Sequence, residues 1–198
     1  LTPKSELSSK YGIDFSKPVI IFTQHPVTNE YGESKDQIKA SVNALNKFNG
    51  NFTVLNFYSN PDAGGNEITN FLDGQDFMNI PNMDSKDFLS LMNYSDLMLG
   101  NSSAGIREAP SFKLPVINIG TRQNGRLRAK NVIDVNHCEN EIFHAINEVM
   151  NNDFKSSLTN ISNPYGNGNA AKKIVKVLEE TVIDENLIKK VFIDNHEL

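Results

Sequence analysis

The segment richest in chemistry runs Gly100-Asn101-Ser102-Ser103-Ala104-Gly105-Ile106-Arg107-Glu108. Its small residues let backbone approach a ligand closely. A helix beginning near Ala104 would turn free N–H groups and the positive end of its dipole toward an anion. The hydroxyls of Ser102 and Ser103 add donors for a phosphate. Glu108, about one turn into such a helix, can accept two hydrogen bonds from adjacent hydroxyls such as those of a ribose. A plainer reading stands beside this one, with a serine as N-cap and Glu108 as a surface acid complementing the dipole.

Four further segments follow it, two of them with chemistry of the same kind. In Thr23-Gln24-His25-Pro26-Val27-Thr28, the His25 imidazole has the chemistry to donate to a phosphate oxygen or to protonate a departing one. The alternative is a loop histidine bonded to backbone. In Gly120-Thr121-Arg122-Gln123, the fork of donors on Arg122 suits a diphosphate. Arg126 and Arg128 close by equally fit a generic basic loop. Asn60-Pro61-Asp62-Ala63-Gly64-Gly65 and Asn163-Pro164-Tyr165-Gly166-Asn167-Gly168 read first as turns. Phe88, Leu89, Leu91 and Met92 form an apolar stripe suited to packing on a sheet, from which one side chain could line a base pocket. His137, His144, His196 and Cys138 show no paired partner, and no Ser-His-Asp set or pair of carboxylates stands out.

The elements that must position these residues follow from hydrophobic periodicity. Short apolar runs read as strands at Val19 to Phe22, Phe52 to Phe57, Phe77 to Ile80, Leu97 to Leu99, Val116 to Ile119 and Val132 to Val135. Amphipathic patterns predict helices over Ser34 to Phe48, Ile68 to Leu72, Asp84 to Met92, Glu139 to Met150 and Ala170 to Glu180, with a last one over Glu185 to Phe192. Alternation of this kind predicts an α/β fold, a doubly wound and mostly parallel Rossmann-like sheet. Such sheets bind ligands beyond the carboxyl ends of their strands, where the segments above fall. The expected division is a linker or edge segment over residues 1–17, a nucleotide-binding domain over 18–181, and a C-terminal helix or tail over 182–198.

Composition limits the partners. The chain has 198 residues and a net charge of −5, which argues against nonspecific binding to nucleic acid or to an anionic membrane. No apolar run approaches the roughly 20 residues a membrane-spanning helix needs. The single cysteine excludes an internal disulfide and fits a reducing, cytoplasmic setting. No metal-ligand spacing appears, so no metal or cofactor is expected. The chain opens on Leu1 rather than Met, which reads as a start within a longer protein.

Taken together, Gln24-His25-Pro26-Val27-Thr28, Gly100-Asn101-Ser102-Ser103 with Arg107-Glu108, Pro115-Val116-Ile117-Asn118 with Gly120-Thr121-Arg122-Gln123, and Asn163-Pro164-Tyr165-Gly166 resemble the UDP-N-acetylglucosamine 2-epimerase family in order and spacing. The resemblance covers about Pro18 to Glu180. It implies one half, the C-terminal one, of a two-domain glycosyltransferase-B architecture, with an absent N-terminal domain as partner and a homo-oligomer when full length. It further implies a UDP-sugar substrate, with Ser102 and Ser103 on the diphosphate, Glu108 on the ribose, Arg122 near the diphosphate, Phe88 on the uracil side and His25 as the catalytic residue beside phosphate and sugar. The stretch Ile80 to Met83 would add backbone contacts. Asn101-Ser102-Ser103-Ala104 and Pro26-Val27-Thr28 are similar to the hydrolysing, sialic-acid-pathway branch rather than to non-hydrolysing members, and Asn167 departs from the Asp common in the family. Other readings of the same site are a non-hydrolysing epimerase, a UDP-sugar glycosyltransferase domain and a non-catalytic nucleotide-sensing module.

Overall fold

Side chains alternate along β1 (Val19–Thr23), and this alternation sets up two apolar layers. In the computed structural model, which describes residues 1–189, Ile20 and Phe22 point to one face and Val19 and Ile21 to the other. Period-2 alternation with both faces apolar is the signature of a strand covered on both sides. The described residues fall into two compact units, residues 1–164 and residues from Tyr165 onward.

The first unit carries the sheet. In chain order its elements are α1 (Lys4–Tyr11), β1, α2 (Ser34–Asn46), β2 (Thr53–Phe57), α3 (Gly65–Leu72), β3 (Met78–Ile80), α4 (Ser85–Tyr94), β4 (Leu97–Gly100), α5 (Ala104–Arg107), a 3-10 turn (Ala109–Phe112), β5 (Val116–Ile119), β6 (Val132–Val135), α6 (Glu139–Met150) and α7 (Asn152–Ser157). The six strands are all parallel, in the order β3-β2-β1-β4-β5-β6. One face packs Ile20, Phe22, Leu97, Leu99, Ile117 and Ile119 against Ile38, Val42 and Leu45 of α2, Ile68 and Leu72 of α3, and Ile142 and Ile146 of α6. The other face packs Val19, Ile21, Leu55, Met98 and Val116 against Leu7 of α1, Leu91 and Met92 of α4, and Ala109 and Leu114. This is the doubly wound fold expected from the alternation of runs.

The strand order reverses direction between β1 and β4. From β1 the chain winds outward to β2 and β3; from β4 it winds the other way to β5 and β6. Loops leaving the carboxyl ends of these two central strands therefore diverge and leave a crevice. At its floor the strands nearly touch. Gly100 has φ of 124°, and a Cβ there would lie 1.9 Å from the carbonyl oxygen of Thr23. Only glycine fits this approach.

Residues 1–17, expected as a linker or edge, instead form α1 and a buried connection. Leu7 and Ile13 are fully buried. The docking is largely polar, which explains why no periodic apolar signal marks it. The buried Asp87 carboxylate accepts from Thr2 Oγ1 at 2.7 Å, Lys10 Nζ at 2.7 Å and Tyr11 OH at 2.8 Å. These bonds hold the Asp87 carboxyl well below the usual carboxylate range, with the Lys10 ammonium the largest cause.

The second unit holds α8 (Ala170–Glu180) and α9 (Glu185–Ile188). The α8 helix therefore falls outside the sheet-bearing unit, not inside a domain ending at 181 as expected. Its apolar residues Ile174, Val177 and Leu178 are exposed. Asp184 caps α9 by accepting from Leu187 N at 2.9 Å. The expected last helix is described only to Ile188, and its continuation toward Phe192, like His196, lies outside the described residues.

The Gly100 contact yields a stability prediction. Gly100→Ala combines a strained positive φ with overlap on β1 backbone, and should cost at least about 2 kcal/mol of unfolding free energy. Urea unfolding of the variant beside the wild type measures it.

Candidate functional site

Every site residue singled out in the sequence sits on a loop leaving the carboxyl end of a strand or on the first turn beyond it. His25 follows β1, Ser102 and Ser103 follow β4, Arg122 follows β5, and Phe88 lies in the first turn of α4 after β3. Glu108 closes α5.

The turn after β4 is shorter than its sequence suggests. α5 has four residues, Glu108 is its C-terminal cap rather than an interior residue, and the chain tightens at once into the 3-10 turn. Pro110 accounts for this, because it has no N–H to continue the α-helical hydrogen bonds and sits instead in the first positions of the 3-10 turn. A one-turn helix develops little of the dipole expected from the sequence, so side chains must carry most of any anion recognition here. Ser103 makes no capping hydrogen bond, and Ser102 Oγ accepts from Ala104 N only at a long 3.4 Å.

Ser103 and Glu108 line one cavity with Phe88, Met83, Leu89 and Ala104, with a volume of about 380 Å³. The Phe88 ring is held edge-on by Phe57, with centroids 5.3 Å apart. Burial raises the Glu108 carboxyl above its ordinary range, against a smaller opposing pull from Arg107. Its Oε2 is buried and without a hydrogen-bond partner. A buried acceptor of this kind is costly unless a donor reaches it. Asn163 braces the turn from below, donating to Arg107 O and Ser111 Oγ, both at 2.8 Å.

Arg122 lines a second cavity of about 460 Å³ with Pro26, Val27, Thr28, Asn29, Asp62 and Thr121. One guanidinium nitrogen donates to the Asn101 carbonyl at 3.2 Å. His25 is buried, and its Nδ1 accepts from Asn60 N at 3.1 Å. A nitrogen that accepts carries no proton, so the ring's hydrogen resides on Nε2. Burial, together with the nearby Arg122 charge, lowers the imidazolium to about 4, against an upward pull from Asp62. His25 is therefore neutral near pH 7 and offers one N–H donor. Of the two readings of His25 in the sequence, the backbone-bonded one is realised at Nδ1. The turn at Asn60 to Gly65 likewise supplies the N–H that sets this tautomer.

The family model described as UDP-N-acetylglucosamine 2-epimerase matches residues 2–179. The chain belongs to this family. Among relatives, the Escherichia coli "Polysialic acid biosynthesis protein P7" is 33% identical over 98% of this chain and 50% of its own length. The Campylobacter jejuni "GDP/UDP-N,N'-diacetylbacillosamine 2-epimerase (hydrolyzing)" is 34% identical over 96% of this chain and 50% of its own. This epimerase-family chain thus spans about half the length of the curated relatives it matches. Among solved structures, the Neisseria meningitidis UDP-GlcNAc 2-epimerase bound to UDP-GlcNAc superposes with a TM-score of 0.74 at 24% identity, over 90% of this chain and 49% of that one. It shows that the two share a fold.

Sequence reasoning assigned no role to two residues of this epimerase-family site, Asn101 and Gln123. Both are fully buried polar side chains on loops that leave a strand, Asn101 directly after β4 and Gln123 four residues after β5. Asn101 bonds the His25 backbone, and Gln123 Nε2 donates to Asn101 O at 2.7 Å. A polar amide next to the all-apolar run Leu97–Leu99 was the available signal, since a buried amide must find partners. His137 also acquires a place. Its ring lies where a Cβ on Gly120 would stand, 2.2 Å from that position at Nε2, and 4.0 Å from Glu30 Oε2. Among the described residues no group of three or more metal-ligating side chains occurs, and no helix is long and apolar enough to cross a membrane.

The His25 shift sets a pH dependence. Between the folded value near 4 and the ordinary 6.5, the unfolded chain binds a proton that the folded chain excludes. Folded stability contributed by His25 is thus complete above 6.5 and is lost as pH falls toward 4, by at most roughly 3 kcal/mol before solvent screening. Urea unfolding of wild type and His25→Gln from about pH 7.5 to about pH 4.5 should show a difference that shrinks as pH falls.

Proposed function

We propose that this chain is the nucleotide-binding half of a hydrolysing UDP-N-acetylglucosamine 2-epimerase. One observation carries the reading most directly. Ser103, Phe88 and Glu108, whose Oε2 is buried and unpartnered, share a cavity lined by segments that follow β3 and β4. A nucleoside diphosphate would place its ribose hydroxyls against Glu108, its base beside Phe88 and its phosphates on Ser102 and Ser103. Arg122 and the Nε2–H of His25 would complete the phosphate end. The hydrolysing branch is supported by the names of the relatives at 32% and 34% identity.

The chemistry this requires is an anti elimination. The proton at carbon 2 leaves to a base, the bond from carbon 1 to the phosphate oxygen breaks, and UDP departs from a 2-acetamidoglucal. Water then adds its hydroxyl to carbon 1 and a proton to carbon 2 on the opposite face, which gives N-acetylmannosamine or its 2,4-diacetamido counterpart. Negative charge grows on the departing diphosphate, and the donors of Ser102, Ser103, Arg122 and His25 would meet it. A neutral His25 serves this step by hydrogen bonding rather than by surrendering a proton. The acids and bases acting on the sugar ring belong to the partner half, and this half alone turns over nothing. The full-length enzyme acts in the cytoplasm, supplying the precursor of a sialic acid or of a related nonulosonic acid, as a homo-oligomer.

Calorimetric titration of the full-length protein with UDP tests the site. Ser103→Ala and Glu108→Ala should each weaken binding about tenfold, as expected for lost bonds to charged groups. Unchanged affinity in both would remove the nucleotide from this cavity. Product analysis by NMR with UDP-N-acetylglucosamine and its 2,4-diacetamido analogue tests the branch. Free 2-epimerised sugar and UDP are expected. A sugar still joined to UDP would identify a non-hydrolysing epimerase, and a new glycoside a transferase.

A further inference from the structure

The hydrogen-bond ladder between β1 and β4 ends at the pair Thr23 and Gly100. Asn101 N still donates to Thr23 O at 3.0 Å. Beyond that point β1 has no strand partner on this side, yet His25 is buried and its backbone groups need partners. The Asn101 side chain supplies both. Its Oδ1 accepts from His25 N at 2.7 Å, and its Nδ2 donates to His25 O at 2.8 Å. One amide thus stands in for a neighbouring strand and carries the ladder past its backbone end. The Asn101 carbonyl, on the other side, accepts from Gln123 Nε2 at 2.7 Å and from Arg122 at 3.2 Å. A single buried residue therefore joins the loops after β1, β4 and β5.

We propose that Asn101 is the positioning residue of this site, its amide setting the place of His25 and its carbonyl the place of Arg122, so that both reach one bound diphosphate. The proposal rests on the nucleotide reading above for its ligand, though the clamp itself is a feature of the fold. Only a group with one donor and one acceptor side by side satisfies the His25 backbone. Alanine offers neither, and an ionised aspartate offers two acceptors, one of them facing the His25 carbonyl. A protonated aspartate restores the pattern of the amide, because its O–H donates while its other oxygen accepts. The clamp also keeps the His25 ring against Asn60 N, which fixes the tautomer with hydrogen on Nε2.

Two readouts on the full-length protein test this with Asn101→Ala and Asn101→Asp. The first needs no ligand. Nitrogen-15 NMR of the histidine rings in the wild type should show His25 with hydrogen on Nε2, and both variants at neutral pH should show mixed tautomers and titration nearer an ordinary histidine. The second is UDP affinity. Both variants should bind about tenfold or more weakly at neutral pH, and the deficit of Asn101→Asp alone should shrink as the pH is lowered and its carboxyl takes up a proton. If the variants do not fold, Gln123→Met, which leaves Asn101 in place and removes only a bond to its carbonyl, should weaken UDP binding about threefold or more. Unchanged ring signals and affinity in Asn101→Ala and Asn101→Asp, or unchanged affinity in Gln123→Met, overturn the positioning role. A wild type that shows no UDP binding overturns the nucleotide reading instead, and the ring signals still decide the clamp.

Discussion

The close approach of β1 and β4 at their carboxyl ends is the constraint on which the rest of the site depends. Backbone meets backbone at Thr23 and Gly100 with no room for a side chain between them. Because the strands are parallel and the connections diverge here, the next residues of both strands emerge side by side. Their polar groups would be stranded in a buried place without Asn101 to pair them. The crevice is thus a consequence of topology, and its rigidity a consequence of one satisfied amide.

The chain's net charge is −5, and the loops after β1 and β5 set a neutral His25 near the Arg122 charge. His25 is kept neutral by burial and by Arg122, so its single proton serves as a fixed hydrogen-bond donor. Burial also lowers the ordinary affinity of Arg122 for its proton, against Asp62, which pulls the other way. Burial raises the Glu108 carboxyl. Arg122 and Glu108 line separate cavities, the first with Thr28 and Asp62 and the second with Ser103 and Phe88.

Elements that bury apolar faces were legible in the sequence. Val116–Ile119, Val132–Val135 and Glu139–Met150 occur with the bounds their periodicity indicates, and so does Ala170–Glu180, although its apolar residues are exposed. Elements held by polar contacts were not. α1 has only Leu7 fully buried among its eight residues and docks through Asp87, so nothing in its pattern separates it from a linker. The helix at Ala104 to Arg107 is shorter than its sequence suggests, because Pro110 has no N–H to continue the α-helical hydrogen bonds. The positions of the candidate site residues, on segments that follow strands, were legible too. What holds them together was not, since pairing between Asn101 and His25 depends on a register that only the folded sheet supplies.

The most direct measurement is a crystal structure of the full-length protein with UDP bound. The account predicts the diphosphate against Ser102 and Ser103, within hydrogen-bond reach of Arg122 and His25 Nε2, and the ribose hydroxyls on Glu108 with Asn101 still bonded to the His25 backbone. UDP seated away from the carboxyl ends of β1 and β4, with Glu108 Oε2 still unpartnered, would contradict it.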